Sequence, residues 1–296
     1  MNSGSAGDRM RPDITILDGP VGTELARRGV PTPLPGWTAS AIQAAPDTLA
    51  RIHSEYAAAG ATVHTANTFR TGPYVQQKRA RDLQQPGEQA DWRWLTRRAV
   101  QIAREAVPKH HRVAGSIAPL ADCYRPDLSP APSVCDAHHG PFAEALAEAG
   151  VDLLLCETFP NPSEAQSAVR AGLATGLPVW LALTVGPQGD LLSDRALVEA
   201  AAGAVDLGAA AVLINCSPPH RILELLPLLS PLGVSLGGYG NVGRPDERSG
   251  WCNPDHAEPE PYREFAARWV DAGATIVGGC CGTTPAHIAA LSNFLA

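Results

Sequence analysis

Short runs of consecutive apolar, often β-branched residues alternate along the chain with longer stretches whose apolar positions recur every three or four residues. The short runs are Ile14–Asp18, Ala61–Thr68, Val113–Ile117, Val151–Glu157, Val179–Val185, Ala210–Cys216, Gly233–Tyr239 and Ala274–Cys280. An apolar run without polar alternation predicts a strand buried on both faces. Helical spacing predicts a helix over Pro46–Ala59, where Leu49, Ile52, His53 and Tyr56 share one face. The same rule predicts helices over Trp92–Ala106, Phe142–Ala149, Pro162–Ala174, Asp194–Leu207, Arg221–Leu229 and Glu260–Ala272. Several of these patterns end in glycine just before the next apolar run, at Gly60, Gly150, Gly208 and Gly273. A helix end favours glycine there because it tolerates left-handed backbone.

Buried strands that alternate with helices predict a parallel sheet in the α/β class. Eight such units within 296 residues fit a closed (β/α)8 TIM barrel forming a single domain. An open doubly wound sheet is the alternative, but Asp18-Gly-Pro-Val-Gly-Thr lacks the glycine spacing of a dinucleotide-binding turn. Residues 13–296 are assigned to the barrel, and the short polar stretch 1–12 to a loosely attached N-terminal segment. The longest aperiodic stretches, Val30–Ala45, Thr71–Gln89, Leu120–Gly140 and Gly240–Pro261, all follow strand ends. On a barrel they become the loops of the active face. Strand ends also carry Asp18, Asn67, Thr68, Ser116, Glu157, Thr158, Asn215, Cys216, Tyr239, Cys280 and Cys281. These residues are expected to converge on one mouth.

Composition narrows the chemistry. Hydrophobic residues make up 45% and charged residues 18%, as in a folded globular chain rather than a disordered one. A net charge of −7 argues against a basic face for nucleic acid. The uncharged stretches Ala171–Gly189 and Leu225–Gly243 are interrupted by glycine and proline, and so read as loops and buried strands rather than membrane spans. Met1–Met10 has no apolar core of a signal peptide. A cytoplasmic protein with reduced cysteines and small-molecule partners is expected.

The seven cysteines are an odd number, so they do not all pair within one chain. Cys280 and Cys281 are adjacent and flanked by glycines, and Cys216 ends the sixth strand, one strand away from the eighth. Three thiolates suit Zn²⁺, and three protein ligands leave a fourth position open, the pattern of a catalytic site. Spacing alone leaves metal binding and plain burial both open, and no CxxC pair decides between them. A vicinal disulfide between Cys280 and Cys281 is a further, rare option. Cys123, Cys135, Cys156 and Cys252 read as small buried hydrophobes, with Cys156 facing the barrel wall. His110-His111 and His138-His139 read as solvated loop residues, and His287 as a packing or capping residue on the last helix.

At this point the residues resemble a known family. Gly278-Gly-Cys-Cys-Gly-Thr-Thr-Pro-Ala-His-Ile288 resembles the C-terminal zinc signature of the homocysteine S-methyltransferases. Leu17-Asp-Gly-Pro-Val-Gly-Thr-Glu-Leu25 resembles that family's opening strand and turn, and His64-Thr-Ala-Asn-Thr-Phe69 its second-strand motif. Cys156-Glu-Thr-Phe-Pro-Asn161 is similar to the fourth-strand motif and Asn215-Cys216 to the sixth. The resemblance implies zinc-dependent methyl transfer to a thiol, with Zn²⁺ on Cys216, Cys280 and Cys281 and the sulfur of homocysteine in the open position. It further implies that Asp18 and Glu157 bind the ammonium of the amino acid. The plainer alternative for Asp18 is a turn residue before Gly19, and for Glu157 a place near the start of the next helix. Backbone N–H groups near Gly19 and the polar groups of Asn67, Thr68, Ser116 and Asn215 are expected to take the carboxylate or order the loops. A sulfonium donor suits aromatic faces, for which Trp37, Phe69, Tyr124, Phe159 and Tyr239 are candidates.

The chain departs from the family pattern at Pro20-Val21, at Ala66 and in the loose turn Tyr239-Gly-Asn-Val-Gly. These positions bear on which acceptor and donor the pocket takes. The length leaves no room for the further domains of folate- or cobalamin-dependent enzymes. S-methylmethionine or S-adenosylmethionine is therefore the expected donor, and homocysteine, giving methionine, the expected acceptor. Selenohomocysteine or another thiol is the alternative acceptor. A zinc hydrolase is disfavoured because the first strand carries no His-x-His, and a non-catalytic thiol protein is separated from an enzyme by turnover.

Overall fold

The computed structural model describes residues 13–32, 36–82, 91–243 and 258–295. The expected N-terminal segment 1–12 and Cys252 lie outside the described residues. Eight strands appear in the expected order: β1 (Thr15–Ile16), β2 (Val63–Thr65), β3 (Arg112–Ile117), β4 (Leu153–Phe159), β5 (Val179–Leu183), β6 (Ala211–Asn215), β7 (Ser235–Gly240) and β8 (Ala274–Gly279). Every neighbouring pair is parallel, and β1 lies against β8 with Ile16 opposite Val277. A parallel bridge between Leu17 and Val63 spans the remaining gap between β1 and β2. The result is the (β/α)8 TIM barrel of a single domain.

Strand side chains alternate between two faces, and the barrel turns that alternation into two cores. Leu153 and Leu155 of β4 point inward with Leu17, Val63, Leu213 and Ile276. Leu154 and Cys156 of the same strand point outward, into the layer between sheet and helices. Glu157 therefore falls on the inward face, at the mouth.

The helices are α1 (Val21–Arg27), α2 (Ala41–Ala44), α3 (Pro46–Ala58), α4 (Pro73–Asp82), α5 (Trp92–Ala106), α6 (Pro132–Glu148), α7 (Pro162–Leu173), α8 (Asp194–Leu207), α9 (Pro219–Leu229), α10 (Pro259–Asp271) and α11 (Pro285–Leu295). Their starts follow local chemistry. Asn161 accepts the amides of Ser163 and Glu164 ahead of α7, and Ser193 accepts the Ala196 amide ahead of α8. Gly208 closes α8 at φ 116°, a left-handed value that disfavours any side chain.

Three of the expected loops are partly helical. The stretch 30–45 holds a 3₁₀ turn at Trp37–Ser40 followed by α2, and the stretch 71–89 holds α4. The largest difference is α6, which begins ten residues before the predicted Phe142 and runs through Pro141. Proline usually stops a helix because it lacks an amide and crowds the preceding turn, so the sequence predicts a start after Pro141 rather than a helix through it. His138 and His139 consequently lie on a helix, not in a loop. Among the described residues no helix is long and apolar enough to cross a membrane.

Candidate metal and substrate site

A cavity of about 1000 Å³ opens at the C-terminal ends of the strands. Its lining includes Asp18, Gly19, Asn67, Glu157, Cys216, Cys280 and Cys281. Among the described residues, three non-glycine positions have positive φ: Trp37 at 43°, Thr158 at 63° and Cys216 at 46°. All three line this cavity. Such backbone costs on the order of 1–3 kcal/mol per residue and collects at functional sites.

The sulfurs of Cys216, Cys280 and Cys281 lie within 4.8 Å of one another. β6 stops at Asn215, and the left-handed turn of Cys216 swings its sulfur toward β8. Cys280 donates its amide to the carbonyl of Gly240 at 2.9 Å, and its own carbonyl takes the Thr283 amide at 3.0 Å. A side chain at Gly279 would run into Thr283, so glycine is required for that turn. Thr158 directs its hydroxyl at the Cys216 sulfur at 3.8 Å and accepts from the Asn215 amide group at 2.8 Å. Thr158 is a positioning residue, which its place at a strand end does not by itself reveal.

Two of the three sulfurs, those of Cys216 and Cys280, are joined as a disulfide, and Cys281 is a free thiol. The sequence predicts reduced cysteines, with the vicinal Cys280–Cys281 pair as the rare disulfide option; the structure pairs Cys216 with Cys280 instead. The barrel sets the alternative, because it brings the α-carbons of Cys216 and Cys280 to 5.6 Å, inside disulfide reach. Disulfide and metal draw on the same sulfurs, so the reduced form is the one that binds an ion. A compact trio of thiols is a donor set that fits Zn²⁺.

Two carboxylates face the same space. Glu157 accepts the Ser116 hydroxyl at 2.5 Å and the Tyr239 hydroxyl at 3.1 Å. Burial raises its pKa, and those two hydrogen bonds oppose the rise. Asp18 accepts the Thr65 amide at 3.0 Å, and burial lifts it well above the usual carboxylate range. His53 lies 3.9 Å from Asp18, but burial holds the ring at about 4, so it is neutral at pH 7. Among the described residues neither carboxylate has an arginine or lysine partner.

The remaining expected contacts divide into lining and support. Gly19 passes so close to Tyr56 that an added Cβ would sit 2.6 Å from its ring. Asn67 lines the cavity and also donates to the Thr38 carbonyl at 2.9 Å. Thr68, Ser116 and Asn215 lie behind the wall. Thr68 and Ser116 bond each other through hydroxyl, amide and carbonyl, and Asn215 holds Thr158. Of the aromatic candidates, Trp37, Phe69, Tyr124 and Tyr239 line the cavity. Phe159 is buried in the outer layer instead.

His138-His139 and Cys123 differ from expectation, whereas His110-His111 lie in the expected turn, His110 exposed and His111 half-buried. His139 is buried 3.4 Å from Glu164, which also takes the Leu120 amide and the Ser129 hydroxyl. His111 meets His64 at 3.0 Å. None of the paired histidines lines the cavity. Cys135 and Cys156 are buried as expected. Cys123, expected to be inert, lines the cavity beside Asp122 and Tyr124.

Comparison with known proteins gives concordant results. The family model described as homocysteine S-methyltransferase matches residues 15–295. The homocysteine S-methyltransferase of Escherichia coli is 32% identical, with 95% of each chain covered. The selenocysteine methyltransferase of Astragalus bisulcatus is 28% identical over 95% of this chain and 92% of its own. The crystal structure of the E. coli homocysteine methyltransferase MmuM in its metallated form superposes with a TM-score of 0.77 at 29% identity, covering 95% of this chain and 96% of that one.

Proposed function

Since the chain belongs to the homocysteine S-methyltransferase family and is an enzyme of that class, we propose that it holds Zn²⁺ on Cys216, Cys280 and Cys281 and methylates L-homocysteine from a sulfonium donor, giving methionine. The observation that carries this reading is the meeting of three cysteine sulfurs, thiols once the Cys216–Cys280 pair is reduced, and two carboxylates without a basic partner in one cavity. A thiol amino acid offers one sulfur and one ammonium, and the cavity has a complementary group for each. Bound Zn²⁺ keeps a coordinated thiol deprotonated at neutral pH, whereas a free thiol with pKa near 8.5 is mostly protonated there.

The chain's own groups supply position. Glu157 is fixed by Ser116 and Tyr239 and Asp18 by the Thr65 amide, so both carboxylates await the ammonium without rearranging. We assign the substrate carboxylate to backbone N–H groups near Gly19 and to the side chain of Asn67, both of which line the cavity. Trp37 and Phe69 stand edge to face at 5.7 Å and offer π faces to a sulfonium, S-methylmethionine or S-adenosylmethionine. Methyl transfer between two sulfurs needs alignment above all.

Reduced, zinc-loaded protein tested in a matrix of donors and acceptors should form methionine from homocysteine and a sulfonium. No product with either donor would overturn the reading. Cys280→Ser should lose zinc and activity together, and full zinc content in that variant would place the metal elsewhere. The similarity to a selenocysteine methyltransferase favours a second reading, in which a selenol is the preferred acceptor. The same matrix, with selenohomocysteine and selenocysteine included, ranks the two.

A further inference from the structure

Four cysteines line the cavity, one more than the trio needs. Cys123 sits on the loop between β3 and α6 and shares the lining with Cys216, Cys280 and Cys281. That loop is held over the mouth from several sides. Arg70 donates to the carbonyls of Pro119 and Ala121 at 3.0 Å each. Glu164 takes the Leu120 amide at 2.7 Å and the Ser129 hydroxyl at 2.6 Å. Tyr124 packs on the interior cluster that contains Cys216 and Cys280. Cys123 lies outside the compact trio, whose three sulfurs are within 4.8 Å of one another, but it lines the same cavity, and its neighbour Tyr124 and Cys281 pack on the same interior cluster. Glu157 is engaged by Ser116 and Tyr239 and Asp18 by Thr65, whereas Cys123 is a free thiol.

Three thiolates leave one position of a tetrahedral Zn²⁺ open, and zinc prefers sulfur. We propose that Cys123 is the fourth metal ligand of the substrate-free enzyme and is displaced by the incoming thiol. The inference rests on the zinc site proposed above. The exchange calls for residues 122–125 to move, Tyr124 included, between the anchored Ala121 and the 3₁₀ turn at Pro126–Leu128. The exchange balances: the bond from the Cys123 sulfur to the metal breaks, and the bond from the substrate sulfur forms. The proton of the substrate thiol ends on Cys123, and no oxidant or reductant takes part. The enzyme then binds its acceptor without adding negative charge to the site or passing a proton to solvent.

Cobalt-substituted, reduced protein tests this directly, because thiolate-to-cobalt charge-transfer absorption grows with the number of thiolates. Wild type should show a four-thiolate spectrum both before and after homocysteine. Cys123→Ala and Cys123→Ser should show three thiolates alone and four with homocysteine, while Cys135→Ala, a buried thiol outside the cavity, should match wild type. Identical substrate-free spectra for wild type and the Cys123 variants would overturn the proposal. No response to homocysteine in any of these proteins would count against the acceptor, yet the substrate-free comparison would still decide the role of Cys123. Should the variants fail to hold metal, alkylation of zinc-loaded wild type gives the answer. Cys123, read by peptide mass, should react severalfold faster once homocysteine is added, and an unchanged or slower rate overturns the proposal.

Discussion

Glu157 shows how single residues are prepared for a ligand that carries the opposite charge. Its two oxygens are held by Ser116 and Tyr239, burial removes its water, and no arginine or lysine among the described residues neutralises it. A charge left in that state is costly unless a cation arrives. Glu157→Gln keeps the shape and deletes the charge, so it should raise the KM for homocysteine by about tenfold to a hundredfold, the equivalent of a lost charge-assisted hydrogen bond. An unchanged KM would place the ammonium elsewhere. Its neighbour Thr158 points its hydroxyl at Cys216 instead. The alternation of a strand predicts that successive residues serve different partners, but not which partners the neighbouring strands supply.

The element that steadies the metal candidates is α10. Its Tyr262 hydroxyl accepts the Gly240 amide at 2.9 Å and donates to the Gly278 carbonyl at 2.6 Å, tying the end of β7 to the end of β8 just before Cys280. Tyr262→Phe leaves those backbone groups without their shared partner inside the protein. It should cost about 1–3 kcal/mol, read by denaturant unfolding, and also weaken zinc in a chelator competition. Lost stability with unchanged zinc affinity would confine the tie to a structural role. The strands were the most legible elements, since their apolar runs are long and uniform. The helices before the mouth were less so. α1 is seven residues long and too short for a periodicity to show, and α6 was truncated at Pro141 because a proline inside a helix looks the same in sequence as one that ends it.

Acid stability belongs to the whole molecule. Burial holds His53 at about 4, and burial with the neighbouring His53 and His111 holds His64 at about 3. Both rings are neutral when folded, while in the unfolded chain each binds a proton as pH falls through about 6.5. The stability they confer is therefore complete above pH 6.5. It is lost as pH falls toward about 4 for His53 and about 3 for His64, at about 1.4 kcal/mol per pH unit for each ring. The melting temperature should drop between pH 6 and 4, and His53→Gln should flatten that drop. An equally steep loss in the variant would assign it to other groups.

The alternation of apolar runs and helical patterns determined the barrel, because eight doubly buried parallel strands have few ways to close. It also determined that Asp18, Glu157, Cys216 and Cys280 end strands and so share one mouth, since parallel strands all point the same way. The tertiary structure alone decided what each residue meets there. Thr68, Ser116 and Asn215 end strands too, yet they turn away and brace the wall, because the face a residue shows at a strand's last turn depends on local twist and on its neighbours. The left-handed backbone of Cys216, its closeness to Cys280, and the loop that carries Cys123 over the same cavity all arise from contacts between residues far apart in the chain. No local pattern encodes such contacts.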